Sequence, residues 1–130
     1  MPETKLTYAT LYYKAPIVYI VFKKNTELGF GEIRELIDNA EALSEGKPYF
    51  VLSDVRAEVS VTPVGKKFSA DSTQAPLHRG TALLVNGNMM KAAANFFTSI
   101  NKLPYPFKAF TDEQQAITWL LSLPLTEFCS

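Results

Sequence analysis

The sequence has one cysteine, one histidine and no excess of either charge. Because Cys129 has no second thiol to pair with, an internal disulfide is excluded and nothing indicates an oxidising compartment. Lysine and arginine together number 13, and so do aspartate and glutamate. Because the formal net charge is zero, the chain cannot hold nucleic acid or an anionic membrane surface by charge alone, so neither is expected as a partner.

Long apolar runs are also missing. No run approaches the ~20 residues that a membrane-spanning helix needs, and residues 1–15 lack the continuous apolar segment of a secretory signal. The sequence therefore predicts no membrane span and a cytoplasmic location.

The residue types of metal and catalytic sites are scarce. One histidine and one cysteine in the tail leave only carboxylates as metal ligands, and these are scattered without a liganding spacing. No serine lies in a Gly-x-Ser-x-Gly elbow, and the sequence has neither a Gly-x-Gly-x-x-Gly fingerprint nor a P-loop. We therefore predict no metal, no cofactor and no enzymatic activity.

The composition that is present fits one globular domain. Of 130 residues, 47% are hydrophobic and 20% are charged, which suffices for a single core and leaves no room for a second domain. We place the core of the domain at residues 6–123 and a tail at 124–130. The tail is unusual because Leu125 and Phe128 need cover, either from the domain itself or from a second subunit.

Apolar periodicity predicts a hairpin followed by alternating helices and strands. Strand-like runs occur at 6–13, 17–22, 49–52, 81–85 and 107–110. Helical spacing occurs at 30–43, 62–68, 89–100 and 111–121. The first run alternates loosely, as an edge strand does, whereas the second is apolar throughout. The predicted order is ββαβαβαβα, an α/β domain with a mixed sheet flanked by helices.

Local signals place the ends of the helices. Phe30 opens the first helix and shares its apolar face with Ile33 and Ile37. Thr111 precedes the last helix as its predicted N-cap.

Four segments in the last third of the chain carry a resemblance to a known family. They are residues 81–85, 91–97, 106–112 and Trp119-Leu120. Together with the order of elements, they resemble the STAS domain of bacterial anti-sigma-factor antagonists and sulphate transporter tails, and the STAS-like bacterial proteins related in fold to lipid-binding CRAL-TRIO domains. The resemblance spans 6–123 and implies a STAS-like fold with a regulatory or interaction role.

In regulatory STAS antagonists, an Asp-Ser-Ser-Gly turn at the start of the second helix carries a serine that a partner kinase phosphorylates. The equivalent turn here runs from Val61 through Thr62 to Gly65. If Gly65 matches the motif glycine, no hydroxyl occupies the acceptor position, whereas a shift of one residue brings Thr62 close to it. Ser60 is a second hydroxyl nearby. A helix N-terminus favours phosphate, but we favour Thr62 as an ordinary N-cap before Pro63.

Other polar residues are candidates for a partner or anion surface. His78 and Arg79 precede a strand, and with Lys66, Lys67 and Lys91 they form either a modest anion site or, as we favour, a solvated loop. Asn86 and Asn88 either offer amides to a ligand at the carboxyl end of a strand or make an ordinary turn. The candidate set is Asp54, Ser60, Thr62, Lys66, Lys67, His78, Arg79, Asn86 and Asn88.

The resemblance to STAS domains implies a non-enzymatic bacterial regulatory or protein-interaction module, and we expect it to bind a protein partner or a second copy through the loop from Asp54 to Lys67. The alternative is a carrier of a small apolar or lipid-like ligand, lined by aromatic residues such as Phe96 and Phe97. An enzyme would need His78 within hydrogen-bond reach of a carboxylate or hydroxyl in a cleft.

Overall fold

The computed structural model describes residues 2–57, 59–69, 75–90 and 105–125. The strands are β1 (Glu3–Lys5), β2 (Ala9–Lys14), β3 (Ile17–Phe22), β4 (Thr26–Leu28), β5 (Tyr49–Asp54), β6 (Val59–Val61), β7 (His78–Leu84) and β8 (Phe107–Phe110). The helices are α1 (Phe30–Leu43), α2 (Pro63–Ser69) and α3 (Glu113–Leu121), with a 3₁₀ turn at Gly87–Met89. Of the predicted helix 89–100, residues 91–100 lie outside the described part of the chain.

Six strands form one mixed sheet in the order β1-β2-β3-β5-β7-β8. The β1–β2 and β2–β3 pairs are antiparallel, and the pairs from β3 to β8 are parallel. This confirms the predicted hairpin and the predicted mixed sheet. The prediction that the strand at 6–13 lies at the edge of the sheet was wrong, because the polar strand β1 pairs with the outer side of β2.

The sheet separates two apolar layers, since successive side chains of a strand point to opposite faces. One layer packs under α1 and includes Val18, Ile20, Ile33, Leu36 and Val51. The other packs under α3 and includes Ile17, Phe50, Leu52, Leu84 and Leu120. Burial of each large apolar side chain stabilises the fold by about 1.5–3 kcal/mol, so these layers hold the sheet and helices together.

A second, two-stranded sheet joins β4 and β6 in parallel. The backbone of Thr62, next after β6, donates to the carbonyl of Leu28 at 3.0 Å. A Cβ on Gly65 would lie 2.7 Å from that same carbonyl oxygen, so only glycine lets α2 approach β4 this closely. The small sheet therefore fixes where α2 begins.

The helix ends follow mostly local chemistry. At the start of α1, the Glu32 carboxylate accepts a hydrogen bond from the Gly29 backbone at 2.8 Å. Phe30 was expected on the buried face but is the first residue of the helix and 52% exposed. The N-cap of α3 is Asp112, which accepts from the Gln115 backbone at 3.2 Å, and not Thr111 as predicted.

The chain after α3 returns to its own domain. Leu123 and Leu125 pack against the layer under α3, so the domain itself covers Leu125, one of the two alternatives predicted for the tail. Phe128 and Cys129 lie outside the described residues. None of the described helices is both long and apolar enough to cross a bilayer.

Candidate functional site

A charged pair marks the carboxyl end of β5. Arg56 donates from Nε and Nη2 to the two carboxylate oxygens of Asp54 at 3.0 and 2.7 Å, and its backbone N–H adds a third bond at 3.1 Å. Partial burial raises the pKa of Asp54, but the Arg56 hydrogen bonds and charge outweigh it and hold that pKa below its ordinary value. The carboxylate therefore stays ionised at neutral pH and fixes the start of the loop.

Asn86 connects the end of β7 to the same loop. Its side-chain amide donates to the backbone carbonyl of Arg56 at 3.1 Å. Two strand ends are thus connected through Arg56, a residue that the sequence analysis missed although an acid and a base two residues apart could have indicated the pair. We define the carboxyl-edge surface as Asp54, Arg56, Asn86 and the exposed Asn88.

The amino end of α3 faces this surface. The Glu113 carboxylate is close enough for its charge to raise the pKa of Arg56, an effect smaller than that of the Asp54 carboxylate. Burial, and to a smaller extent the Glu113 charge, also raises the pKa of the Tyr19 hydroxyl. The carboxyl edge therefore carries both signs of charge, as surfaces that recognise a charged and polar partner do.

Thr62 caps α2, as the favoured interpretation predicted. Its hydroxyl oxygen accepts from the Gly65 backbone at 3.0 Å and is partly buried. Ser60 is exposed on β6, opposite Glu27 of β4, and Lys67 is exposed on α2. The side chain of Lys66 and the whole of Lys91 lie outside the described part of the structure.

His78 and Arg79 do not form the solvated loop that we favoured from the sequence. Both belong to β7, and Arg79 is buried, with Nη1 donating to the carbonyl of Pro76. The prediction relied on Pro76 and Gly80, which flank the pair and are typical of loops. The local sequence did not show the aromatic rings that pack around His78. These residues lie at the start of β7 and Asn86 follows its end, so about 25 Å of strand separates them.

The His78 ring lies between two tyrosines. Its centroid is 5.8 Å from that of Tyr49, with the planes 6° apart, and 4.1 Å from that of Tyr105. Nε2 lies 3.0 Å from the carbonyl oxygen of Gly80 and 2.6 Å from the hydroxyl of Thr81. Because a carbonyl only accepts, Nε2 donates to Gly80 in the tautomer that is protonated at Nε2, whereas the Thr81 hydroxyl can pair with either tautomer. We call Tyr49, His78, Thr81 and Tyr105 the amino-edge cluster.

The environment keeps the amino-edge cluster neutral. Burial lowers the pKa of His78 to about 4, with the neighbouring Arg79 charge adding to the effect and the Gly80 hydrogen bond opposing it. Burial likewise raises the pKa of Tyr105 to about 12 and that of Tyr49 well above its ordinary value. The condition set for an enzyme is met in part, since a hydroxyl does lie within reach of His78.

The ranges that the structure describes contain no group of side chains that could hold a metal ion. There, no three histidine, cysteine, aspartate or glutamate side chains come together as a metal site would require.

Comparison with known proteins supplies the family and the fold. A family model described as a domain of unknown function (DUF7793) matches residues 11–123. Among solved structures, an uncharacterised protein of the DUF3478 family with a SpoIIAA-like fold, from Shewanella loihica PV-4, is similar with a TM-score of 0.54. Their sequences are 20% identical, and the match covers 86% of this chain and 91% of that one. No curated protein matches. The predicted STAS-like fold is confirmed.

Proposed function

The chain belongs to the DUF7793 family of domains of unknown function, and we propose on that basis and its SpoIIAA-like fold that it acts as a non-enzymatic protein-interaction module. The partner is a protein that contacts the carboxyl-edge surface and the loop from Asp54 to Lys67. In open α/β sheets, ligands meet the carboxyl ends of the parallel strands, which is where this surface lies.

The hydrogen-bonded connection from Asp54 through Arg56 to Asn86 carries the proposal. Three hydrogen bonds, two from the Arg56 side chain and one from its backbone N–H, hold the Asp54 carboxylate. A fourth, from the Asn86 side-chain amide to the Arg56 carbonyl, joins this loop to the end of β7. A loop ordered in advance loses less conformational entropy when a partner binds. The arrangement therefore favours recognition over a purely structural turn.

The chemistry of His78 supports a non-enzymatic role. A histidine whose pKa is about 4 is a weak base near neutral pH. Its Nε2 already lies within hydrogen-bond distance of the Gly80 carbonyl and the Thr81 hydroxyl, and the rings of Tyr49 and Tyr105 pack against the imidazole. The geometry suits a core residue better than a proton-transfer group.

Quantitative affinity purification from the source organism tests the proposal with two matched variants. Asn88→Arg places a long charged side chain on the carboxyl-edge surface, and Asn39→Arg makes the same change on α1. We expect one protein to be retained in comparable amounts by the unchanged chain and by Asn39→Arg, and about tenfold less by Asn88→Arg.

Three results would contradict the module. They are equal retention by both variants, no retained protein at all, or a native mass that reports a bound apolar small molecule. The last result would support the carrier of an apolar ligand instead.

A further inference from the structure

Strand β1 is the edge of the described sheet, and two of its three residues direct their backbone N–H and C=O groups outward. On its inner side, the Pro2 carbonyl accepts from the Tyr13 backbone at 2.9 Å and the Leu6 backbone donates to Ala9 at 2.8 Å. Thr4 lies opposite Leu11 between these two bonds. In an antiparallel pair, alternate residues face the neighbouring strand, so the N–H and C=O groups of Glu3 and Lys5 face away from β2.

The side chains of β1 are complementary to a second copy of themselves. Glu3 and Lys5 are exposed and lie on the same face, one on each side of Thr4. A two-fold axis at Thr4 would place each Glu3 opposite the other copy's Lys5 and bring the two Thr4 residues together. Opposite charges and paired threonines are the cross-strand pairs that stabilise antiparallel strands.

We propose that two copies of this chain associate through β1, antiparallel and centred on Thr4, so that their six-stranded sheets join into one continuous sheet. In this register, the outward N–H and C=O groups of Glu3 and Lys5 all find partners, giving four backbone hydrogen bonds across the axis. The interface is isologous, since each copy offers the same surface to the other.

The opposite end of the described sheet does not offer this match. Strand β8 contains Lys108 and no acidic residue, and the Lys108 ammonium lies 5.4 Å from the centroid of the Phe110 ring. A two-fold pairing there would gain no opposite-charge pair. The complementarity of β1 is therefore specific to that edge.

The proposed contact differs from the carboxyl-edge surface in place and partner. Glu3 and Lys5 belong to the first strand of the sheet. Lys5 and Asp54 lie in the same row of paired residues across the sheet, but three strand-to-strand steps apart. A contact through three-residue strands buries little area, so the dimer forms and dissociates with concentration. The inference does not depend on the function proposed above.

Charge reversal across the axis tests the proposal by sedimentation of the full-length chain at rising concentration. The unchanged chain is expected to show a monomer–dimer equilibrium. Glu3→Lys places lysines opposite lysines, and Lys5→Glu places glutamates opposite glutamates, so each variant alone should associate about tenfold more weakly or worse. A mixture of the two variants should form a heterodimer, because each Lys then faces a Glu.

The double variant Glu3→Lys/Lys5→Glu is expected to dimerise like the unchanged chain, since it exchanges the charges and keeps every pair. A chain that stays monomeric up to ~1 mM would overturn the proposal. So would a dimer that both single variants retain, which would place the second copy elsewhere, or a mixture that fails to associate. Thermal unfolding of each variant should match the unchanged chain, because both side chains are exposed.

Discussion

The two ends of the parallel strands differ in chemistry. At the amino ends, Tyr49, His78 and Tyr105 pack ring against ring and remain neutral. At the carboxyl ends, Asp54 and Arg56 form an ion pair in which the arginine side chain is 48% exposed and the aspartate side chain 14%. The polar groups of the amino end lie among packed rings, with Tyr49 buried and His78 and Tyr105 half-buried, whereas the carboxyl end presents a half-exposed Arg56 to water.

This difference indicates which end carries stability and which is available for binding. Buried aromatic rings contribute through area removed from water, whereas a half-exposed ion pair adds little to the free energy of unfolding. Substitutions at the amino-edge cluster should therefore act on stability, and substitutions at the carboxyl-edge surface should act on recognition.

The largest expected effect is that of Tyr49→Ala. Tyr49 is 1% exposed, and its removal leaves a cavity beside His78, which should lower the free energy of unfolding by about 3–5 kcal/mol. Urea denaturation followed by circular dichroism measures the change. Tyr49→Phe keeps the ring and is the control, with an expected loss below ~1.5 kcal/mol. Equal losses in the two variants would mean that the ring does not stabilise this end.

Acid should weaken the protein through His78, the sole histidine. Its pKa is about 4 when folded and near 6.5 when unfolded, so the unfolded state binds the proton first as pH falls. Stability is complete above pH ~6.5 and should decline by about 2 kcal/mol by pH ~4.5.

Urea midpoints measured at several pH values check this dependence on acid. His78→Gln should flatten the curve within that window. A variant that keeps the full slope would assign the effect to carboxyl groups instead.

Loss of the α2 cap should have a smaller effect. Thr62→Ala removes the hydroxyl that accepts from Gly65 and should cost about 1 kcal/mol, because one backbone donor of the first turn loses its partner. Thr62→Ser keeps the hydroxyl and should retain most of the stability. If the alanine variant proved as stable as the serine variant in thermal unfolding, the hydroxyl would not act as a cap.

The smallest effect on stability is expected at the carboxyl edge. Arg56→Ala should cost less than ~1 kcal/mol, yet the pKa of Asp54 should rise, because the side-chain hydrogen bonds and the charge of Arg56 are lost while its backbone hydrogen bond stays. Carboxyl-carbon NMR titration measures that pKa. Arg34→Ala removes an equally exposed arginine from its pair with Asp38 and is the control. A similar rise in both variants would show that general charge, and not the paired geometry, sets the pKa of Asp54.

The sequence predicted the elements whose signals are local and periodic. The apolar run of β3, the stripe of α1 that includes Ile33 and Leu36, and the pattern that opens with Thr62-Pro63 were sufficient. Strand β1 was missed because Glu-Thr-Lys has no apolar alternation, and its pairing depends on β2. The weak alternation of residues 54–61 left a short strand or an ordered loop open, and β6 is that strand. Its partner β4 was missed because two three-residue strands 33 positions apart pair only through tertiary structure.

The site was predicted in part for the same physical reason. Asp54 and Asn86 were identified because small polar residues follow apolar runs, but Arg56, which connects them, required the loop geometry. His78 and Arg79 were misplaced because burial by Tyr49 and Tyr105 comes from residues distant in sequence. Local composition predicts where strands end, but it does not predict which distant residues pack against those ends.

Site-specific photo-crosslinking in the source organism tests the account most directly. One photoreactive residue replaces Asn88 at the carboxyl edge, and in a second variant it replaces Lys47, exposed two residues before Tyr49 at the amino edge. We predict a discrete crosslink to one other protein from position 88 and none to that protein from position 47. The same crosslink from both positions, or from position 47 alone, would contradict the assignment of recognition to the carboxyl edge.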